Sequence, residues 1–258
     1  MKRHMIQMNR LLQLMRDNAQ PGERKPLNVV RNEAAGEATL YLYDVIDPWW
    51  GLSAEEMAKT INGLQDVQTL HLRINSPGGD VFEGRSMRTA LAEFKGTTIA
   101  HVDGLCASAA TTVADGCSQI VMVPGSFWMI HNGWTLGWGN KHDLGKTVGL
   151  LEKVDAAIAA DYVRRTGADL AQVVQWMDDE TWFEAAEAVE QGFATSVADD
   201  TAVPDDGQAS NWVLNAYSKV PKALVQAPAQ RKPVNTPEPD WAAQRASNER
   251  RLQLFSFT

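Results

Sequence analysis

Cysteine is scarce: the chain has two in 258 residues, Cys106 and Cys117. No CxxC pair and no cysteine–histidine cluster at metal-ligand spacing occurs, which argues against a disulfide framework and against a structural metal site. Two small buried thiols in a reducing compartment are the simplest reading. Long apolar runs are missing too. No stretch of about 18 residues is both apolar and free of charge, so no transmembrane helix is expected. The basic start, MKRHMIQMNRLLQLMRDN, lacks the uninterrupted apolar stretch of a secretory signal. A surplus of positive charge is also absent. Lys and Arg number 24 against 32 Asp and Glu, a formal net charge of −8, which argues against a general nucleic-acid binder. These absences lead us to expect a soluble, cytoplasmic protein with neither a nucleic acid nor a membrane as partner.

What is present divides the chain into three regions. Residues 1–36 form a polar N-terminal arm broken by Pro21 and Pro26. A short helix is expected at Met5–Met15, because Met5, Met8, Leu11, Leu12 and Met15 fall on one face. Residues 37–200 alternate strand and helix patterns. ATLYLYDVID reads as a strand, and SAEEMAKTINGL as a helix with Ser53 and Glu56 as a capping box and Gly63 as its stop. TLHLRINS, TTIAHVDG, QIVMVP and FWMIHNG read as further strands, with TTIAHVDG ending at Gly104. GRSMRTALAEF and SAATTVADG read as helices, and residues 141–166 as one long helix stopped by Gly167. LAQVVQWMDD and EAAEAVEQG add two short ones. Strands and helices joined by short connections predict an α/β fold of βαβ units on a mainly parallel sheet. Residues 201–258 are rich in Pro, Gln and charge and read as a flexible tail ending in the apolar RLQLFSFT.

The segment AHVDGLCASAATTVADG carries the chemistry. A serine, Ser108, stands where strand meets helix, with Gly104, Ala107, Ala109 and Ala110 around it. Serine here serves as a helix N-cap by default. It also suits a nucleophile, because a helix N-terminus offers free N–H groups to developing negative charge. A nucleophilic serine needs a base, and His131 closes the strand FWMI. Ligands bind at the carboxyl ends of strands in open parallel sheets, which favours pairing these two residues. His4, His71, His101 and His142 are weaker candidates. INSPGGD, residues 74–80, can turn tightly and offer the N–H of Gly79 as a second donor beside that of Ala109. No GK[ST] follows, so it is not a phosphate loop. In WMDDETWF, the acids Asp178, Asp179 and Glu180 could each orient the histidine.

Four blocks in order, INSPGG, GLCASAA, MIH and EAAEAVEQG, resemble the signature segments of the ClpP-type serine peptidases over roughly residues 38–200. The resemblance implies a ClpP/crotonase-like spiral of βαβ units with a protruding handle helix, the handle running from Asn132 to about Arg165. It implies Ser108 as nucleophile, His131 as general base and the amides of Gly79 and Ala109 as oxyanion hole. Aligned on EAVEQG, the family's catalytic aspartate falls at Glu180, with Asp179 the nearest substitute. No cofactor and no metal are implied. The N-terminal arm, the long tail and the segment ETWF look most like the ClpP-related head maturation proteases of tailed phages and prophages. That likeness implies ring-shaped homo-oligomers, scaffold and capsid protein as substrates, and cleavage of the chain's own tail. Three rivals remain: a housekeeping ClpP-like subunit working with an ATPase, a crotonase acting on coenzyme A esters, and an inactive relative serving as an assembly scaffold.

Overall fold

The structure is a computed structural model, and it describes residues 10–19, 27–64, 66–199 and 212–224. Fifteen elements follow one another along the described chain. They are α1 (Arg10–Asn18), β1 (Val29–Asn32), β2 (Glu37–Leu42), α2 (Ala54–Asn62), β3 (Thr69–Ser76), α3 (Val81–Ala92), β4 (Thr97–Ala107) and α4 (Ala109–Ala114). Then come β5 (Gln119–Met122), β6 (Phe127–Ile130), α5 (Lys141–Thr166), α6 (Leu170–Asp178), β7 (Thr181–Glu184), α7 (Ala185–Glu190) and β8 (Ser196–Val197). The sheet runs β1-β2-β3-β4-β5-β8, with β6 branching from β4 and carrying β7. Only β1–β2 and β6–β7 are antiparallel; the other pairs are parallel, as the alternating strand and helix patterns predict.

Period-two burial places Leu40, Leu42, Leu70, Leu72, Ile74, Ala100 and Val102 on one face of the sheet. There they meet Met57 and Ile61 of α2, Met87 and Leu91 of α3, and Val113 of α4 in the main core. The opposite face is half-buried and polar. On it Asp103 pairs with Arg73 and accepts a 2.5 Å bond from Tyr43 Oη, and His71 meets His101 at 3.0 Å.

Several local expectations are corrected. The strand expected to stop at Gly104 continues to Ala107, because β4 changes partners: Ile99–Val102 pair with β5, and Leu105–Ala107 pair with β6. Ser53 caps α2 by accepting from Glu56 N at 3.3 Å, but the Glu56 carboxylate does not return to complete a capping box. It accepts instead from Leu27 N, tying the arm to the helix. The acidic run before α7 leads into a strand, β7, and the arm contributes the edge strand β1. In α1 the buried residues are Leu14, Met15 and Asn18, whereas Leu12 is exposed, so the buried face is rotated from the expected one. The outer part of the tail, 225–258, and the arm methionines Met5 and Met8 lie outside the described residues. Residues 212–224, also read as tail, pack on the domain: Leu214, Ala216 and Tyr217 join Leu14, Leu105, Ala107, Phe127 and Met129 in a second buried cluster.

Candidate active site

The parallel pairing of β4 with β6, with Ala107 opposite Met129, sets Ser108 and His131 at neighbouring strand ends. Ser108 N donates to Met129 O at 2.9 Å and anchors the turn. The serine has φ 54° and makes no capping bond with its side chain, so the cap role is unfilled. Its Oγ lies instead 2.8 Å from His131 Nε2. Left-handed backbone at a residue other than glycine is strained, and such strain gathers where function demands a particular side-chain direction.

The turn after β3 is built just as tightly. Ser76 Oγ donates to Asp44 O and accepts from Gly78 N. Ile46 N donates to Gly78 O, and Asp80 N donates to Ile46 O. Asp80 caps α3 by accepting from Phe82 N and Glu83 N. Gly78, at φ 92°, passes so close to the serine that a Cβ there would sit 2.8 Å from Ser108 Cβ. Among the described residues, the N–H groups of Gly79 and Ala109 have no acceptor in the protein. Both residues line a cavity of about 150 Å³ together with Ser108, His131, Trp134 and Tyr217.

His131 is buried, 4.4 Å from the Trp134 ring and 5.5 Å from the Tyr217 ring. Burial, with the Arg10 cation adding to it, pushes the imidazole down to about 3. It is therefore neutral and able to accept the serine proton at neutral pH. Among the described residues no carboxylate pairs with either of its ring nitrogens.

The three acids of the run diverge. Glu180 is aligned with the histidine: β6 and β7 pair Ile130 with Thr181, and the next step of that antiparallel register sets His131 across from Glu180. Yet its carboxylate is turned to the C-terminal segment, where Oε1 accepts from Ser218 N and Lys219 N, each at 2.6 Å. Its Oε2 lies 4.0 Å from the Arg10 guanidinium. Asp179 is exposed and bound to Lys219 Nζ and Gln175, with Lys219 first in holding its carboxyl below the usual range. Asp178 accepts from Asn132 Nδ2 at 2.6 Å, next to the histidine but not on it.

Two neighbours of the site were not singled out from sequence. Trp134 packs tilted against the imidazole, and Tyr217 donates its phenol to Pro77 O at 2.5 Å. Burial raises the Tyr217 phenol well above its ordinary range, so it stays protonated. The one signal was the apolar spacing of Trp212, Leu214 and Tyr217 inside an otherwise polar tail.

A strained serine on a strand-to-helix turn, a neutral histidine at hydrogen-bond distance and two free amides are the parts that serine-hydrolase chemistry requires. The family model for Clp protease matches residues 51–201. The chain belongs to the Clp protease family. The ATP-dependent Clp protease proteolytic subunit of Streptococcus salivarius is 25% identical over 195 residues, covering 66% of this chain and 94% of that protein. The subunit of the same name from Angiopteris evecta is 26% identical over 187 residues, covering 70% and 94%. Among solved structures, a point mutant of ClpP1 from Listeria monocytogenes superposes with a TM-score of 0.56 at 21% identity, covering 66% of this chain and 93% of that one, a likeness of fold. The family is one of serine endopeptidases, and this Clp-family chain is an enzyme of that class. No helix among the described residues is long and apolar enough to cross a membrane.

Proposed function

We propose that the chain hydrolyses peptide bonds with Ser108 as nucleophile and His131 as general base. The observation that carries this reading is the 2.8 Å contact between Ser108 Oγ and His131 Nε2 beside the free amides of Gly79 and Ala109. Ser108 Oγ gives its proton to His131 Nε2 as it attacks the substrate carbonyl carbon. The carbonyl oxygen takes the negative charge, held by the two N–H groups. His131 then passes the proton to the leaving amine nitrogen as the C–N bond breaks. Water, deprotonated by the same imidazole, attacks the acyl-enzyme and frees the new carboxylate and Ser108. Glu180 is the acid we assign to the imidazole during turnover, because the β6–β7 register sets it opposite His131; Asp179 points away on the surface.

We further propose that the substrates are structural proteins of an assembling phage head, including this chain's own tail, and that the enzyme works as a ring of identical subunits. Support comes from the folded segment 212–224, which lies past the matched family region ending at residue 201. A second reading, a proteolytic subunit fed by an ATPase, is favoured by the names of the relatives.

The first test is intact-mass spectrometry of wild type and Ser108→Ala, each alone and with a fluorophosphonate. One adduct on the wild type, absent from the variant, is the expected result; an adduct on both counts against Ser108 as the nucleophile. Incubation with phage scaffold and capsid protein, against a tagged folded protein plus an unfoldase and ATP, separates the two readings of substrate.

A further inference from the structure

The segment 212–224 does more than cover the domain. It enters from the side of α1, where Asn18 holds Val213 by a reciprocal pair of bonds, Nδ2 to O at 2.9 Å and N to Oδ1 at 2.7 Å. Trp212 Nε1 donates to Asn75 Oδ1 at 3.0 Å, on the strand that leads into the INSPGG turn. Five residues on, Tyr217 sits buried among His131, Trp134 and Trp182, its ring centroid 5.1 Å from that of Trp134 and 5.8 Å from that of Trp182. Its hydroxyl bonds the carbonyl of Pro77, two residues before Gly79, and also interacts with the Ser108 side chain. The next two residues, Ser218 and Lys219, take the Glu180 carboxylate with their N–H groups. The segment thus touches the serine, the histidine, the turn bearing the oxyanion donor and the acid. What stays open is a space of about 150 Å³, on the scale of one benzene-sized group.

We infer that residues 212–224 hold the enzyme latent: Tyr217 occupies the substrate's place over Ser108 and His131, while the amides of Ser218 and Lys219 draw Glu180 away from the imidazole. Displacement of the segment opens the cleft and returns Glu180 to His131 in one movement. The inference rests on Ser108 and His131 being the catalytic pair. It adds a regulation of that site by the chain's own C-terminal region. Arg10 belongs to the same closed arrangement, for its guanidinium lies 5.7 Å over the Trp134 ring and faces Glu180.

The test compares the rate of fluorophosphonate labelling at Ser108 in the full chain, wild type, Tyr217→Phe and Tyr217→Ala. Loss of one buried hydrogen bond in Tyr217→Phe should raise the rate about fivefold. Loss of the whole ring in Tyr217→Ala should raise it on the order of 100-fold. A synthetic peptide of residues 212–224 should slow Tyr217→Ala again, in competition with the probe. Adding Glu180→Gln to Tyr217→Ala should reverse most of the gain in peptide hydrolysis; undiminished turnover removes the acid from the inference. Equal, measurable rates in all three chains overturn latency while the serine-protease reading stands. No labelling of any chain overturns both. Should Tyr217→Ala fail to fold, Tyr217→Phe, which keeps the ring against Trp134 and Trp182, decides alone, and an unchanged rate refutes the inference.

Discussion

Ser108 and Glu180 are the two residues other than glycine with left-handed backbone among the described residues, at φ 54° and φ 51°. Strain of this kind costs on the order of 1–3 kcal/mol at each position and persists only where the surroundings impose it. At Ser108 the strain turns Oγ off the helix end and toward His131. At Glu180 it sits in the turn between α6 and β7 and leaves the carboxylate buried. Gly78 makes the first of these arrangements possible. A Cβ at Gly78 would lie 2.6 Å from Ala107 O and 2.8 Å from Ser108 Cβ, and φ 92° disfavours any side chain. We therefore expect Gly78→Ala to cost about 2 kcal/mol in urea unfolding and to abolish Ser108 labelling. A folded Gly78→Ala chain that labels at the wild-type rate would show that this turn does not set the serine's geometry. The grouping of Ser108 with His131, Gly79 and Ala109 was legible in the sequence because its signals are local: small residues at a turn and a histidine at a strand end. The partners of Glu180 were not, because they arrive from nearly forty positions downstream, with Ser218 N bonded across 38 residues.

Among the elements, α5 spans the 141–166 read from the sequence with Gly167 as its stop; the structure adds a cap at its start. Asn140 accepts from His142 N and Asp143 N in a capping box, and Gly167 closes the helix at φ 72°. By contrast β7 has four residues, TWFE, and no periodicity to read; only pairing with β6 makes it a strand. The fold of 212–224 was hidden for a related reason. A few apolar side chains in a polar tail decide its packing, and their target on β4 and β6 is distant in sequence. The elements around α4 are joined through one carboxylate. Asp115, whose side chain is 7% exposed, accepts from Arg88 of α3 and from Arg164 and Arg165 of α5. Arg165 also donates to the carbonyls of Asp115 and Cys117. Removing the shared acceptor leaves the Arg88 guanidinium without its partner, while Arg164 keeps Asp161 and Arg165 keeps the two carbonyls. Asp115→Ala should thus lose about 3 kcal/mol of stability, measured as a lower urea midpoint at unchanged slope. A loss below about 0.5 kcal/mol would place this cluster with ordinary surface ion pairs.

For the whole molecule the relevant asymmetry is between two neutral histidines, one buried and one half-buried, and the unfolded chain. Burial pushes His131 down to about 3, with the Arg10 cation adding to it. Burial also pushes His101 down to about 4, with His71 and Arg73 adding to it. In the unfolded chain each returns to 6.5. Between these limits the unfolded state binds more protons than the folded one, so folding stability falls as pH falls. Above pH 6.5 both states are neutral at these positions and the contribution is complete. It is lost progressively below that value, by up to about 2 kcal/mol per histidine at pH 5. The two groups belong to different regions: His131 to the site closed by 212–224, His101 to the polar outer face of the sheet. Their contributions should therefore separate. Urea midpoints measured from pH 8 to pH 5 should fall on the acid side of 6.5, and His101→Gln should flatten part of that slope. Tyr217→Ala should flatten another part, because opening the segment hydrates His131 and moves its folded value back toward 6.5. A midpoint that stays level down to pH 5 in the wild type would mean that both imidazoles can take up a proton inside the fold, and that neither is held neutral by burial.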